Sequence, residues 1–267
     1  MSSYAITGAS KGIGLEFIRQ LAANTDNTVL AIVRNPKASD INEVASKYPN
    51  VHIIKGDVTD PRSILEAASG ASTITGGKLD VLIHNSNAVD SATTALSPSQ
   101  FPFDAEAVQK MFEPSLVTAI YGGLWATNAF LPLIEEGTQK KIVHISSAMA
   151  LPDLINKTGI SYAVAYSVAK AGMNVQVAKY AAELAPKGIK VLALSPGWVN
   201  TYDGEKPAEV VQGEEFMLKQ FQIADPELKG QIQPEESVQK CLQVIDHLDE
   251  KSSGLLLSQN GDQERWL

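Results

Sequence analysis

Thr7-Gly8-Ala9-Ser10-Lys11-Gly12-Ile13-Gly14 is the stretch whose reading decides the fold. It follows a short apolar run at 4–7 and leads straight into 13–23, where apolar residues recur at helical spacing. Glycine is required where a backbone turns sharply and where it must come close to a pyrophosphate. The first amides of the following helix then point at the negative charge. Strand, glycine turn and helix in that order, at the start of a strand–helix series, predict a dinucleotide site.

Further along, short runs rich in β-branched residues recur at 28–33, 51–54, 79–84, 141–145, 190–194 and 255–257. Segments of helical period lie between them, at 41–48, 62–71, 105–133, 162–184 and 235–248. Strands alternating with helices of this length predict an α/β chain: one Rossmann-type, doubly wound parallel sheet with helices on both faces. The runs are continuously apolar, as strands covered on both faces should be. No linker, repeat or low-complexity tract interrupts 1–267, which reads as a single domain. One excursion breaks the rhythm, 198–233, and is expected to be a substrate lid with a helix at about 208–222.

Composition narrows the partners. The 267 residues carry a formal net charge of −8, which argues against a nucleic-acid surface. No stretch reads as the roughly 18 consecutive apolar residues of a membrane span. Cys241 is the only cysteine, so no internal disulfide can form; with no signal-peptide core at the N-terminus, a cytoplasmic location is expected.

The tip of the second strand reads Val33-Arg34-Asn35, with no carboxylate to bind a ribose 2′-hydroxyl. Arg34, with Lys11 from the glycine turn, suits a 2′-phosphate and predicts NADP(H). Asp57 and Val58, after the third strand, are placed to meet the adenine, although Asp57 could equally cap the next helix, as Asp60-Pro61 more plainly does. Tyr166 and Lys170 stand i, i+4 on a helix, one turn apart on one face. A nearby ammonium is expected to lower the phenol's pKa toward the working range of an acid–base group. Ser147 ends the fifth strand, at the edge where open parallel sheets bind ligands, while Ser146 is expected to bond within the sheet.

Together these residues resemble the short-chain dehydrogenase/reductase family along nearly the whole chain. Gly8, Ser10, Lys11, Gly12, Ile13 and Gly14 match its TGxxxGxG turn, Tyr166 and Lys170 its YxxxK pair, and Ser147 its catalytic serine. Pro196, Gly197 and Thr201 match its PGxxxT segment. The resemblance implies a sheet order of 3-2-1-4-5-6-7, with Thr201 and Val199 at the nicotinamide carboxamide. It implies that Tyr166 protonates a carbonyl oxygen, Ser147 orients it, and Lys170 binds the nicotinamide ribose. A homodimer or homotetramer is expected by the same analogy.

Two departures stand out. The family's NNAG reads His84-Asn85-Ser86-Asn87 here, with Asn85 keeping its polar position. The family's fourth-helix asparagine, thirteen residues before a proline such as Pro132, falls on Ala119, beside Thr118. That leaves the water relay to Lys170 in question. Gly197-Trp198-Val199 and the C-terminal 261–266 resemble the single-domain branch of fungal polyketide ketoreductases and sniffer-type carbonyl reductases. A role in secondary metabolism is one implication. Met149, Leu151, Leu154, Tyr162, Trp198, Tyr202 and Phe216 to Phe221 read as apolar walls for a bulky substrate or as plain core. The expected activity is reduction of a ketone or aldehyde, or oxidation of an alcohol. A non-catalytic NADP(H)-binding or signalling protein, and a reductase that also directs cyclisation or epimerisation, are the alternatives.

Overall fold

A computed structural model describes all residues except Ser91 and Asp203. Seven parallel strands form one sheet in the order β3-β2-β1-β4-β5-β6-β7. They are β1 (Ser3–Thr7), β2 (Thr28–Val33), β3 (Val51–Lys55), β4 (Val81–His84), β5 (Lys141–Ile145), β6 (Lys190–Ser195) and β7 (Leu256–Ser258). The expected order is confirmed, and each strand lies within two residues of the run that predicted it.

Side-chain alternation along the strands divides the core in two. On one face Ile6, Ala31 and Ile83 pack with Phe17 and Ile18 of α1 (Gly12–Ala22), Ile41 of α2 (Ser39–Lys47) and Val238 and Cys241 of α9 (Pro234–Asp246). On the other, Ala5, Leu30 and Leu82 meet three helices: Ile64 and Ala67 of α3 (Pro61–Thr75), Phe130 of α5 (Gly122–Glu136), and Val177 and Tyr180 of α7 (Val164–Leu184). Burying a side chain such as Phe130 contributes about 2–3 kcal/mol each by transfer alone.

The segment at 105–133, expected as one helix, is divided. Helix α4 (Ala105–Leu116) contains Pro114, a π-helical turn follows at Val117–Tyr121, and α5 then runs on to Glu136. Proline cannot donate to the helical ladder, and a π turn absorbs one extra residue, often at a functional site. The same 105–136 span is long and apolar enough to cross a membrane, contrary to the expectation that no stretch qualifies. Half of its most apolar window is buried inside the fold, which suits a core helix equally well.

A short helix between Ser147 and Tyr166, α6 (Pro152–Thr158), was not foreseen. Its signals are Pro152 in the first turn and Gly159 beyond the end, at φ 71°. It packs beneath α8 (Ala208–Ala224), the helix expected in the lid, and Lys157 Nζ donates to Ala224 O at 3.1 Å. The two ends of the excursion are tied together at its base. Ile232 N–H donates to Trp198 O and Asn200 N–H to Ile232 O, each at 2.9 Å.

Candidate active site

The glycine turn is closed by contacts that leave no room for side chains. Asn85 Nδ2 donates to Gly8 O at 3.2 Å. A Cβ on Gly14 would strike that carbonyl and come 2.5 Å from Asn85 Nδ2. A Cβ on Gly8, which sits at φ 69°, would lie 2.8 Å from Ser86 Cα. Thus Ser86, which replaces the family's small residue, packs directly on the turn. Helix α1 starts at Lys11 with no side-chain cap and no acid in its first turn. Such an N-terminus suits an anion. Ser10 and Ile13 are half-buried beside it, and Thr201 faces it, 3.6 Å from where a Gly12 Cβ would stand. The turn therefore fits the pyrophosphate of a dinucleotide.

Arg34 at the tip of β2 and Lys11 are both exposed. Among the described residues neither is held in an ion pair. Asp57 is not the cap of α3; Asp60 fills that place, accepting from Arg62 N–H at 2.9 Å. Asp57 commits Oδ1 to Thr59, at 3.0 Å from its amide and 2.8 Å from its hydroxyl. Val58 is nearly buried in the core and its backbone crowds Gly122, so much of its surface is spent on packing.

At the far side of the cleft, Pro196 O accepts from Ser237 Oγ at 2.6 Å. Gly197 takes φ 83° directly against the side chain of Gln259. Val199 pairs with Ile232 as an isolated bridge, while Thr201 and Tyr202 are exposed.

Ser146 bonds within the sheet as expected, its amide donating to Leu194 O at 2.8 Å, and its hydroxyl donates to Asn174 Oδ1 at 2.6 Å. Ser147 Oγ accepts from Met149 N–H at 3.2 Å, and its side chain also hydrogen-bonds the Tyr166 phenol. Lys170 is almost fully buried, donates to Ile145 O at 2.7 Å, and lies 5.8 Å from the Tyr166 ring centroid. Burial lowers its pKa to about 7. The expectation for Tyr166 is corrected here. Burial pushes its phenol above 10.0, and the polar Ser147 side chain only partly offsets this. An amine that is itself half-discharged near neutrality, with a proton committed to Ile145, does not hold a phenolate.

The helix that carries Tyr166 starts from a strained residue. Ala163, the N-cap of α7, adopts φ 56°, and its amide donates to Thr94 O at 2.9 Å. Non-glycine residues in that region cost roughly 1 kcal/mol or more and cluster at functional sites.

The expected substrate walls separate into two groups. Leu154 and Phe221 are buried packing, with Trp198 meeting Phe221 edge-on at 5.2 Å between ring centroids. Met149, Leu151 and Tyr162 are half-buried, whereas Tyr202 and Phe216 are exposed. Tyr162 lies 6.2 Å from Phe216 between ring centroids, and its buried hydroxyl has no hydrogen-bond partner among the described residues.

Sequence reading gave His84 no role. It is fully buried at the end of β4, and its ring centroid lies 5.3 Å from that of His144 on β5. Ala119, at the family's fourth-helix asparagine position, is likewise buried and packs with Ala169 and Met173.

Comparison with known proteins agrees with this geometry. The short-chain dehydrogenase/reductase atnB of an Arthrinium species is 40% identical over 267 residues, covering all of both chains. The NADPH-bound carbonyl reductase from chicken fatty liver superposes with a TM-score of 0.79 at 28% identity, over 100% of this chain and 99% of that one. Carbonyl reductase Sniffer of D. melanogaster shares the fold at TM-score 0.77 and 19% identity, over the full length of both. Residues 3–209 match the short chain dehydrogenase family, whose enzymes use a nicotinamide cofactor, and the chain belongs to that family of oxidoreductases.

Proposed function

We propose that the protein is an NADPH-dependent carbonyl reductase for a bulky, partly apolar ketone or aldehyde. The observation that carries this reading is the convergence of Ser147, Tyr166 and Lys170 at the open edge of the sheet, opposite the glycine turn. In this reading Gly8, Ser10, Gly12, Ile13 and Gly14 hold the pyrophosphate, and Lys11 and Arg34 the 2′-phosphate. Asp57 Oδ2, Val58 and Asn85 lie along the adenosine side, and Pro196, Gly197, Val199 and Thr201 hold the carboxamide end. When bound, NADPH supplies the hydride.

The protein's own groups supply the rest. Ser147, beside the Tyr166 phenol, orients the carbonyl oxygen and stabilises charge developing there. Tyr166, whose pKa burial raises, is the proton donor in the reductive direction. Lys170, its pKa lowered to about 7 by burial, stands beside the Tyr166 ring and holds the nicotinamide ribose in this reading. Met149, Tyr162, Trp198, Tyr202 and Phe216 give the lid side an apolar wall for the substrate. The intact trio favours catalysis over a purely binding role.

Two further features belong to this reading. The buried, unpaired Cys241 suits a cytoplasmic protein. Val168 and Val175 on α7 are 50% and 62% exposed, and Tyr121 on the π turn is 46% exposed. Such apolar surface suits pairing with a second copy, which sedimentation analysis would show as a dimer or tetramer.

The test is Tyr166→Phe, assayed by NADPH absorbance over a panel of ketones. The variant is expected to lose about 10²–10⁴-fold in kcat while binding NADPH normally. Unchanged turnover would remove Tyr166 from the role of proton donor.

A further inference from the structure

We propose that His84 is a positioning residue for the reaction, fixing through its hydrogen bonds to Thr118 and Thr7 the π-helical turn that packs beside Lys170. This rests on the catalytic reading of Tyr166 and Lys170 given above.

The proton positions follow from the partners. Thr118 O can only accept, so Nε2 of His84, 3.0 Å away, carries a proton and donates it. Burial, reinforced by the neighbouring Lys170 charge, lowers the imidazole pKa to about 4, so the ring is neutral. With its one proton on Nε2, Nδ1 must accept, and Thr7 Oγ1 lies 3.1 Å from it. That hydroxyl already accepts from Asn85 N–H at 3.2 Å, so its own proton is free for Nδ1. Every donor meets an acceptor along one continuous line. It joins Thr7 at the start of the glycine turn, His84 at the end of β4, and Thr118 in the π turn.

The turn is gripped from a second side. Gln176 of α7 donates Nε2–H to Ile120 O at 3.1 Å. Between the two gripped carbonyls lies Ala119, with no exposed surface, packed on Ala169 and Met173 of α7. Ala169 immediately precedes Lys170. Where the related enzymes carry an asparagine, this chain offers a methyl group, which cannot order a hydrogen-bonded relay. What it can do is close the space beside Lys170 and keep it dry. The grip of His84 on Thr118 holds that closure in place.

The ionisable groups around these residues are few. His84 faces His144 from β5 and Lys170 from α7, and Lys170 faces Tyr166, His84 and His144. The Lys170 shift traces to burial, and those of the two imidazoles to burial first and then to neighbouring positive groups, not to a carboxylate. Loosening the turn therefore has one clear electrostatic consequence: water reaches Lys170 and its pKa climbs toward the ordinary lysine value.

Two conservative replacements separate the two arms of the ring. A glutamine amide reaches the position of Nε2 and can keep the bond to Thr118 O; an asparagine amide reaches only the position of Nδ1, on the Thr7 side. The experiment compares His84→Leu, His84→Gln and His84→Asn for thermal stability, NADPH affinity by fluorescence, and kcat as a function of pH. It also follows the titration of Lys170 in the apo-protein by NMR with isotope-labelled lysine.

His84→Leu is expected to lower kcat about tenfold and raise the Lys170 pKa by about one unit, with NADPH affinity changed less than kcat. His84→Gln is expected to recover both quantities better than His84→Asn. If His84→Leu does not fold, the difference between Gln and Asn decides. Wild-type kcat and an unmoved Lys170 titration in all three variants, with only the melting temperature lowered, would make His84 merely structural and overturn the proposal. So would recovery by Asn and not by Gln. The NMR titration needs no substrate, so it stands even if the catalytic reading fails by absence of turnover in the wild-type protein.

Discussion

The glycine-turn wall of the cleft and the 198–233 segment, proposed as its lid, are made on different plans. On the wall, Gly8, Gly14, Asn85 and Thr7 approach one another so closely that backbone and amide atoms occupy the places where methyl groups would go. On the lid, α8 buries only Phe221, and Gly213 has nothing within 4 Å of where its Cβ would stand. Few buried contacts mean low local stability, the end of the range from which moving lids are drawn. Cofactor recognition is thus fixed by backbone geometry that tolerates almost no change. In the proposed reading, substrate recognition falls to side chains such as Phe216 that have room to change.

Substitutions on the two sides should separate accordingly. The largest effect is expected from Gly14→Ala, whose methyl group would collide with Gly8 O and Asn85. A loss of about 2–4 kcal/mol and of measurable NADPH binding should appear in denaturant melts and fluorescence titration. Next comes Arg34→Ala combined with Lys11→Ala. Removing two charge-assisted partners of a 2′-phosphate should weaken NADPH by about 10²-fold and leave NADH within about twofold, as read by thermal shift.

On the lid the effects should be smaller and differ in kind. Phe216→Ala should raise KM for bulky ketones several-fold with no change in melting temperature, because Phe216 is 55% exposed. Gly213→Ala should stabilise the protein by about 0.5–1 kcal/mol, since it replaces a mid-helix glycine where space is open. A lid substitution that abolished NADPH binding, or a tolerated Gly14→Ala, would break the contrast.

The same contrast explains what could be read from the sequence. The strands, the glycine turn and the Tyr166–Lys170 pair were legible because each depends on local spacing, whereas the sheet order came from the family resemblance. Helix α6 escaped because a seven-residue helix shows too little periodicity, and only Pro152 and Gly159 mark its ends. The break at Val117–Tyr121 escaped because the apolar period runs straight through it; the extra residue in the turn shows only once α7 is packed against it. The direction of the Tyr166 shift was misjudged because adjacency on a helix says nothing of burial, and burial dominates here. His84 stayed invisible for a related reason: its partners Thr7 and Thr118 are 77 and 34 residues away.

The central claim is that hydride passes from NADPH to a substrate carbonyl held by Ser147 and Tyr166. The direct measurement is turnover of a bulky ketone with NADPH deuterated at the reactive nicotinamide carbon, followed by mass analysis of the alcohol. The account predicts one deuterium on the carbinol carbon with the wild-type protein, and almost none above background with Tyr166→Phe. Alcohol formed without deuterium from either hydride position, or equal labelling by Tyr166→Phe, would contradict it.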